Sequence, residues 1–341
     1  MKAKLLFILN PISGHKTKEK IPVTIEKYID KNIFTYKIAW TKYAGHATEI
    51  AREAAKDGID VVVAVGGDGT VNEVGRGLVD TNTALAIIPT GSGNGLARHL
   101  AIPMNIKQSI EIINHLEIKS LDYGLINDIP FFCTCGMGFD AFISMKFAEA
   151  GKRGPLTYVQ KVLEGGLSYT PQVYEITDDS GTHKYKAFLI SIANASQYGN
   201  NAYIAPQASM SDGELDVIII EPFGLLDVSR IVFELFNKTI DKNHKIKTFK
   251  AKSISIHREK EGVVHFDGDP ITMGKDIKVK IVNKGIKVVV NPNNDTSYRQ
   301  PNTIQTGFSA LFSNIDLLRA NINKQKRRVI AINKNILRKI K

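Results

Sequence analysis

The stretch Val61–Val74, VVVAVGGDGTVNEV, carries the strongest fold signal in the chain. Its run of β-branched residues is typical of a buried parallel strand, and a helical pattern starts directly after the glycines. Glycines let a backbone approach a phosphate closely, and the N-terminus of a helix favours its negative charge. Asp68 would repel a bare phosphate, so its presence is reasonable if a divalent cation lies between the two. The stretch predicts a strand, a phosphate-binding loop and a helix, although an ordinary tight turn would give the same pattern.

A second glycine-rich loop, Thr90-Gly91-Ser92-Gly93-Asn94-Gly95, follows the next apolar segment. Loops at the carboxyl ends of adjacent strands form the ligand crevice of an open α/β sheet. We therefore expect the two loops to form one nucleotide cradle, with Thr90, Gly91 and Ser92 on its second side. Neither loop is a dinucleotide fingerprint or a P-loop, and Ser13-Gly14-His15-Lys16-Thr17 matches only the end of a P-loop. Hydride transfer and P-loop GTPase chemistry are therefore disfavoured.

The chain around these loops divides into two parts and a tail. Residues 1–119 alternate apolar segments with amphipathic ones, which predicts an α/β domain with a parallel sheet covered by helices. Residues 120–290 predict a β-rich domain with helices at Leu156–Ser168 and Leu225–Phe236, and residues 291–341 form a linker and an amphipathic basic tail. The predicted strands are Lys4–Leu9, Thr35–Trp40, Val61–Val65, Ala84–Ile88, Phe131–Cys135, Lys184–Ile192, Leu215–Ile220, Lys252–His257, Val263–Phe266, Ile277–Ile281 and Ile286–Val290.

Charge is concentrated in the tail. The 341 residues carry a net charge of +11, and Arg319–Lys341 contains nine basic residues and no acidic one, so the rest carries about +2. Such a tail suits an anionic membrane surface, although a merely solvated face explains it as well. Nucleic acid is disfavoured, because Arg319–Lys341 contains no aromatic residue and the tail has no base-reading motif. No apolar run approaches the roughly 20 residues of a membrane-spanning helix, and two cysteines indicate free thiols in a reducing cytoplasm.

Five motifs, in this order and spacing, resemble the diacylglycerol kinase catalytic-domain family, which includes bacterial soluble lipid kinases and the sphingosine and ceramide kinases. The resemblance covers about residues 2–290. It implies a Rossmann-like α/β nucleotide-binding domain followed by a β-sandwich-like domain, with the active site in the cleft between them. The motifs are Asn10-Pro11-x-Ser13-Gly14, Thr41 with Gly45-His46-Ala47, GGDGTVNEV at 66–74, PTGSGN at 89–94 and Asp267-Gly268-Asp269-Pro270.

The resemblance also implies a role for particular residues in binding ATP and Mg²⁺. Asp68 would organise the catalytic magnesium, and Asp122 would lie near Asp68 and the metal-bound water. Gly136-Met137-Gly138-Phe139-Asp140 would line the lipid side of the cleft. The implied ATP contacts are Asn10, Thr41, Gly66, Gly67, Asp68, Gly69, Thr70, Val71, Asn72 and Thr90.

Two further sites carry alternative interpretations. A second magnesium, away from the chemistry, would be held by the Asp212 carboxylate with backbone oxygens of Ser209 and Glu214, although Ser-Asp-Gly-Glu is also typical of a hairpin turn. Asp269 occupies the position of the family's glutamate general base. An aspartate is one methylene shorter, so its carboxylate must be brought closer to the lipid hydroxyl, and a turn is again the structural alternative.

The sequence thus predicts an ATP- and Mg²⁺-dependent lipid kinase, cytoplasmic and peripheral at the inner membrane face. Its lipid substrate would be of the diacylglycerol or of the sphingoid base or ceramide type, with Gly91-Ser92-Gly93-Asn94 favouring the sphingosine kinase branch. NAD kinase shares the GGDGT loop and is one alternative. A catalytically silent lipid- or nucleotide-binding regulator is another, because Asp269 replaces a glutamate. Whether two copies form a homodimer is left open.

Overall fold

The computed structural model describes residues 2–11, 20–141, 166, 169–224 and 227–293. The chain separates into two compact units, Met1–Gln300 and Pro301–Lys341, and all of the described residues belong to the first. The Ser13–Thr17 motif, the basic tail and, apart from Gly166, the helix predicted at Leu156–Ser168 lie outside the described residues. None of the described helices is long and apolar enough to cross a membrane.

The N-terminal part is a parallel sheet with helices on both faces. Its strands are β1 (Ala3–Leu9), β2 (Phe34–Trp40), β3 (Val61–Gly66) and β4 (Ala84–Pro89), in the order β2-β1-β3-β4. Every residue of β3 and β4 is buried, which explains their continuous apolar sequences. The four predicted strands are confirmed. The helices are α1 (Lys20–Tyr28), α2 (His46–Lys56), α3 (Asp68–Leu78), α4 (Gly95–His99) and α5 (Ile106–His115).

The second part consists of strands from two sheets that pack face to face. One sheet has six antiparallel strands in the order β12-β11-β10-β7-β14-β15, and the other continues the N-terminal sheet from β4 through β16, β13 and β8 to β9. Buried residues of both sheets, such as Ile254 and Val279 facing Ile190 and Val217, form one core. The α/β part followed by a β-sandwich-like part is the predicted fold class. The elements are β5 (Ile118–Ile126), β6 (Ile129–Phe131), β7 (Thr134–Gly138), β8 (Gln172–Asp178), β9 (Gly181–Ala187), β10 (Leu189–Ala193), β11 (Leu215–Ile220), α6 (Val228–Phe236), β12 (Ile246–Ala251), β13 (Ser253–Arg258), β14 (Gly262–Phe266), β15 (Asp269–Met273) and β16 (Asp276–Val289).

Strand β16 connects the two parts. It pairs antiparallel with β13 and β5 and then, through Val288 opposite Leu85, parallel with β4. The segments predicted separately at Ile277–Ile281 and Ile286–Val290 are therefore one strand, with a register shift between Val282 and Ile286.

Two predicted strands are each divided in the structure. Phe131–Cys135 is wrong as a single strand, because the chain leaves β6 after Phe131 and enters β7 at Thr134. Lys184–Ile192 is divided at Phe188, since β9 belongs to one sheet and β10 to the other. Helix α6 begins at Val228 within the predicted Leu225–Phe236.

Candidate active site

The predicted nucleotide residues meet at the carboxyl edge of the parallel sheet. Asn10, Thr41 and Thr90 directly follow β1, β2 and β4. Thr90 donates its backbone N–H to the Gly66 carbonyl at 2.8 Å, and Asn10 Nδ2 donates to Thr70 Oγ1 at 3.2 Å. The sheet therefore assembles one polar rim from segments that are up to 80 residues apart in the sequence.

The two glycine-rich loops touch each other through Gly67 and Gly91. A Cβ atom on Gly91 would lie 2.5 Å from the Gly67 Cα, and one on Gly67 would lie 3.1 Å from the Gly91 Cα. Glycine is required at position 91, where a Cβ atom would overlap the facing backbone, and a Cβ atom at position 67 would be in tight contact. Beside the contact lies a cavity of about 110 Å³, lined in part by Thr90, Gly91, Asn94 and Arg98.

Other predicted nucleotide residues differ in where the structure places them. Gly69 faces open space, because a Cβ atom there would meet nothing within 4 Å. The Ser92 side chain is exposed on the second loop. Val71 is 6% exposed and packs in the core beside Val74. The Val71 side chain therefore faces the protein interior rather than a nucleotide.

Asp68 begins α3 and contacts the second loop. Its Oδ1 accepts the Gly95 N–H at 2.6 Å and its Oδ2 accepts the Asn94 N–H at 2.8 Å. Burial raises the pKa of Asp68, whereas these two amides and the Arg98 guanidinium act to lower it. A Cβ atom on Gly93 would lie 2.6 Å from Oδ2, so a side chain there would displace the carboxylate. Each oxygen accepts one of these bonds and retains a lone pair, and the site fits a magnesium ion bound directly or through water.

The turn before Asp269 is fixed by the buried Asp267 carboxylate. Asp267 accepts the backbone N–H groups of Phe132, Cys133 and Thr134 at 2.7, 2.6 and 3.0 Å. Burial raises the pKa of Asp267 to about 6, against the opposing effect of these amides. The same three bonds explain why the chain leaves the sheet after Phe131. Asp269, the first residue of β15, projects from this anchored turn with its side chain 55% exposed.

A buried histidine lies directly before the turn. His265 Nε2 is 2.6 Å from Asp140 Oδ2, which also accepts the Tyr198 hydroxyl at 2.9 Å. Burial acts to lower the pKa of His265, but the neighbouring Asp140 carboxylate outweighs it and the pKa is raised. The Gly268 N–H points at His265 Nδ1 at 3.4 Å. Asp140, from the Gly136–Asp140 segment predicted to line the lipid side, thus bonds to the histidine that contacts the turn.

Asp122 is buried among backbone amides, and its place near Asp68 and the metal-bound water stays a prediction. The residue is 2% exposed, and its carboxylate accepts the N–H groups of Lys284 at 2.7 Å and Gly213 at 2.9 Å. Among the hydrogen bonds of the described residues, none joins Asp122 to Asp68. The structure uses Asp122 to connect the irregular part of β16 to the segment Ser209–Glu214.

The predicted second magnesium site contains a lysine. Asp212 Oδ2 accepts Lys250 Nζ at 2.6 Å, and Asp212 Oδ1 accepts the Glu214 N–H at 3.2 Å. Lys250 also lies 3.2 Å from Asp216, its cross-strand partner. Within the described ranges, no three His, Cys, Asp or Glu residues are grouped to hold a metal ion. The Lys250 ammonium thus engages one oxygen of the Asp212 carboxylate, and the second magnesium on Asp212 with backbone oxygens of Ser209 and Glu214 stays a prediction.

Two residues of α3 take part in contacts that sequence analysis missed. Glu73 Oε2 accepts the Ala47 N–H at 3.1 Å and thereby caps α2. Arg76 donates to the Pro130 carbonyl at 3.3 Å and lies with Nη2 4.0 Å from Asp269 Oδ2. The only signal for both was their position: Glu73 belongs to the GGDGTVNEV motif, and Arg76 lies two residues beyond it.

Known proteins resemble this chain along most of its length. Residues 4–126 match the model of the diacylglycerol kinase catalytic domain, and residues 134–299 match that of the YegS C-terminal NAD kinase beta sandwich-like domain. A diacylglycerol kinase of Bacillus subtilis is 30% identical over 270 residues, which cover 77% of this chain and 88% of that protein. An uncharacterized protein of Synechocystis is 29% identical over 299 residues, or 84% of this chain and 66% of that protein.

Solved structures show the same fold. A diacylglycerol kinase from Bacillus anthracis superposes with a TM-score of 0.68 at 23% identity, covering 86% of this chain and 98% of that chain. An NAD kinase from Archaeoglobus fulgidus in complex with ATP gives 0.51 at 13% identity, covering 86% and 96%. At these identities both are likenesses of fold alone, so the NAD kinase relation is structural. The family models and the B. subtilis relative carry the assignment, and the chain belongs to the diacylglycerol kinase catalytic-domain family.

Proposed function

We propose that this protein is an ATP-dependent kinase that phosphorylates the hydroxyl group of a lipid of the diacylglycerol type. The observation that carries the proposal is the contact of the two glycine loops around Asp68 at the N-terminus of α3. Bare backbone and a helix N-terminus favour a chain of phosphates at this place. The diacylglycerol kinase named in B. subtilis favours this lipid class over sphingoid bases.

The nucleotide would lie along the rim formed by Asn10, Thr41 and Thr90, with its phosphates over Gly66–Asn72. Asp68 would hold the magnesium ion, which when bound neutralises phosphate charge and favours the transfer. The amides of the two loops would stabilise the negative charge on the transferring group, because they are fixed before the reaction begins. Positioning and charge stabilisation account for most of the catalysis in such a reaction.

Asp269 would act as the general base. In the transfer, the lipid hydroxyl oxygen forms a bond to the γ-phosphorus while the bond from that phosphorus to the β,γ-bridging oxygen breaks. ADP leaves with the bond's electron pair, and the hydroxyl proton passes to the Asp269 carboxylate. Asp269 lies on a turn that is anchored by the Asp267 carboxylate, and its own side chain is 55% exposed.

The test is transfer of labelled γ-phosphate from ATP with Mg²⁺ in detergent micelles. Diacylglycerol, sphingosine, ceramide, phosphatidylglycerol and NAD are offered in parallel. We expect label on diacylglycerol, lost in Asp68→Ala and largely lost in Asp269→Asn, with ATP binding retained in Asp269→Asn. Label on NAD alone would replace the proposal by an NAD kinase, and no label from folded protein would favour a silent regulator.

The basic tail would attach this kinase to an anionic membrane surface, so that the protein is cytoplasmic and peripheral. Its nine basic residues and the lipid nature of the substrate support this proposal. Co-sedimentation with vesicles that contain phosphatidylglycerol tests it. Binding should fall with salt and disappear on truncation after residue 300, whereas equal binding of the truncated chain, or preferential binding to RNA, would overturn it.

A further inference from the structure

One face of α3 carries a row of polar side chains. Asp68, Asn72 and Arg76 follow one another at intervals of four residues, so they lie along the same side of the helix. Asn72 is 3% exposed. In the part of the chain that the structure describes, the buried Asn72 Nδ2 and Arg76 Nη2 atoms have no hydrogen-bond partner. Leaving a buried donor unpaired is costly, so each such group calls for an explanation.

The Arg76 guanidinium is held in place from two sides. Its Nε donates to the carbonyl of Pro130 at 3.3 Å, and its Cζ lies 4.5 Å from the centre of the Phe266 ring. The side chain is 21% exposed, so most of it is enclosed. Phe266 is the last residue of β14 before the turn that carries Asp269. Arg76 is therefore positioned in part by Phe266, which directly precedes the turn that carries Asp269.

The Arg76 Nη2 atom, which has no hydrogen-bond partner among the described residues, points at Asp269. Nη2 lies 4.0 Å from Asp269 Oδ2, within ion-pair distance but beyond a hydrogen bond. A displacement of roughly 1 Å would close the gap to a charge-assisted hydrogen bond. Asp269 is also the position where the chain has the shorter carboxylate in place of glutamate. A cation fixed on α3 compensates for the missing methylene, because it draws the short side chain toward the helix that begins with Asp68.

We propose that Arg76 is a positioning residue of the active site, which holds the Asp269 carboxylate against the face of α3 for proton transfer from the lipid. The inference rests on the proposed function, since the role of Asp269 as base is part of it. In a purely structural role, Arg76 would only connect α3 to Pro130 and Phe266, and its charge would not matter to Asp269.

Removal of the Arg76 charge should change the pKa of Asp269 in one direction. Arg76 faces Asp269 from α3, His265 faces it from β14, and Asp267 shares its turn. The guanidinium stabilises the carboxylate form, so its removal raises the pKa of Asp269. The Arg76 guanidinium also lowers the pKa of Asp267, so the Asp267 carboxyl shifts in the same direction in Arg76→Met and its resonance has to be assigned separately. An opposite charge at this distance typically shifts a carboxyl pKa by about one unit or more, and partial exposure favours the lower figure.

The test uses Arg76→Met and Arg76→Lys in the full chain, with Arg230→Met as a matched control. Arg230 is an exposed arginine on α6 that pairs with Glu234, away from the site. Carboxyl ¹³C NMR titration of aspartate-labelled protein, assigned with Asp269→Asn, reports on Asp269 without any turnover. Near-ultraviolet circular dichroism confirms that each variant is folded.

We expect the Asp269 titration to move up by about one unit in Arg76→Met and to stay close to wild type in Arg76→Lys. The kcat should fall about 10- to 100-fold in Arg76→Met with an unchanged KM for ATP, and the acid limb of its pH profile should shift in the same direction. Arg76→Lys should recover part of the kcat. An unmoved Asp269 titration in folded Arg76→Met, or equal losses in the lysine and methionine variants, would overturn the inference. A wild-type chain that transfers no phosphate would refute the proposed function, while the titration would still decide the role of Arg76.

Discussion

At the scale of single residues, the contact between Gly67 and Gly91 decides whether the nucleotide cradle exists. Gly91→Ala would place a methyl group 2.5 Å from the Gly67 Cα, so the two loops must separate. We expect loss of ATP binding by isothermal titration calorimetry and a destabilisation of about 1–3 kcal/mol in urea unfolding.

Gly69→Ala is the control within the same motif. A Cβ atom there meets nothing within 4 Å, and residue 69 lies inside α3, where alanine is favoured over glycine. The variant should be at least as stable as wild type. If Gly91→Ala were also as stable as wild type and bound ATP, the loops would be free to move apart and the close contact would not matter.

His99 gives a pH dependence that belongs to one residue. Its Nδ1 accepts the Ser196 N–H at 3.1 Å, and burial lowers the pKa of His99 from 6.5 to about 4. Because the folded pKa lies below the unfolded one, the stability is complete above pH 6.5 and falls as the pH drops toward 4. We expect about 2–3 kcal/mol of this loss to disappear in His99→Asn, whose side-chain oxygen can still accept the Ser196 N–H.

Urea unfolding at a series of pH values measures this difference. His183→Asn, which changes an exposed histidine on β9, should keep the wild-type pH dependence. Identical pH profiles for His99→Asn and wild type would show that protonation of His99 does not oppose folding.

Residues of the candidate site were predictable where the backbone has to be bare or the charge is unusual. The glycines of the two loops and Asp68 could be predicted for these reasons, because their pattern has few purely structural explanations. Asp122 was harder, since an aspartate at the start of a strand has no local sign of its partners: the amides of Gly213 and Lys284 come from residues 91 and 162 positions away. Arg76 was missed for the same reason.

At the scale of elements, the parallel strands followed directly from their apolar runs, but the limits of several antiparallel strands did not. Phe131–Cys135 has the composition of one strand, and only the Asp267 carboxylate, a distant residue, withdraws three amides from pairing. Phe188 similarly lies where the chain passes from one sheet to the other. Phe131–Cys135 is buried throughout, so its division leaves no mark in the hydrophobic pattern, whereas the crossing at Phe188 separates the mostly exposed β9 from the fully buried β10.

The β11–β12 ladder leads to a prediction about metal binding. Lys250 on β12 bonds to Asp216, its partner on β11, and to Asp212, the carboxylate predicted to hold a second magnesium. Lys250→Met removes the lysine charge and leaves two neighbouring carboxylates to repel each other. The variant should have a lower melting temperature than wild type, and millimolar Mg²⁺ without nucleotide should restore part of it, because carboxylate oxygens suit this ion.

Lys247 lies on β12 like Lys250 and forms an exposed ion pair with Glu221. Lys247→Met breaks this pair, is the matched control and should not respond to Mg²⁺. Differential scanning fluorimetry with and without Mg²⁺ makes the comparison. A wild-type chain that Mg²⁺ stabilises, and that loses this response in Asp212→Asn, would instead establish the second magnesium site first predicted from the sequence.

At the scale of the whole described part, β16 makes the two halves depend on each other. Ile277 and Val279 pack in the core between the two sheets, Ile286 and Val288 pack beneath α2 and α3, and Val289 packs on the opposite face of the parallel sheet. This one strand thus contributes buried side chains to three hydrophobic cores. This explains why the residues around Asp68, on α3, and those around Asp269, on β15, hold a fixed relation although 200 residues separate them in the sequence.

Unfolding of the two halves should therefore be one event. Ile277→Ala opens a cavity in the core between the sheets, where Ile277 is 1% exposed, and should cost about 2–5 kcal/mol. Trp40, the single tryptophan of the chain, lies at the end of β2 in the other half and reports on the parallel sheet by fluorescence. Because β16 pairs with β4 as well as with β13, the loss should appear in full in the Trp40 transition during urea unfolding. The far-ultraviolet circular dichroism transition should coincide with it, and Val173→Ala, at a 55% exposed position on β8, should shift neither. A Trp40 transition that stays at its wild-type midpoint while the dichroism shifts would mean that β16 does not couple the halves, and the fixed relation of Asp68 to Asp269 would then need another cause.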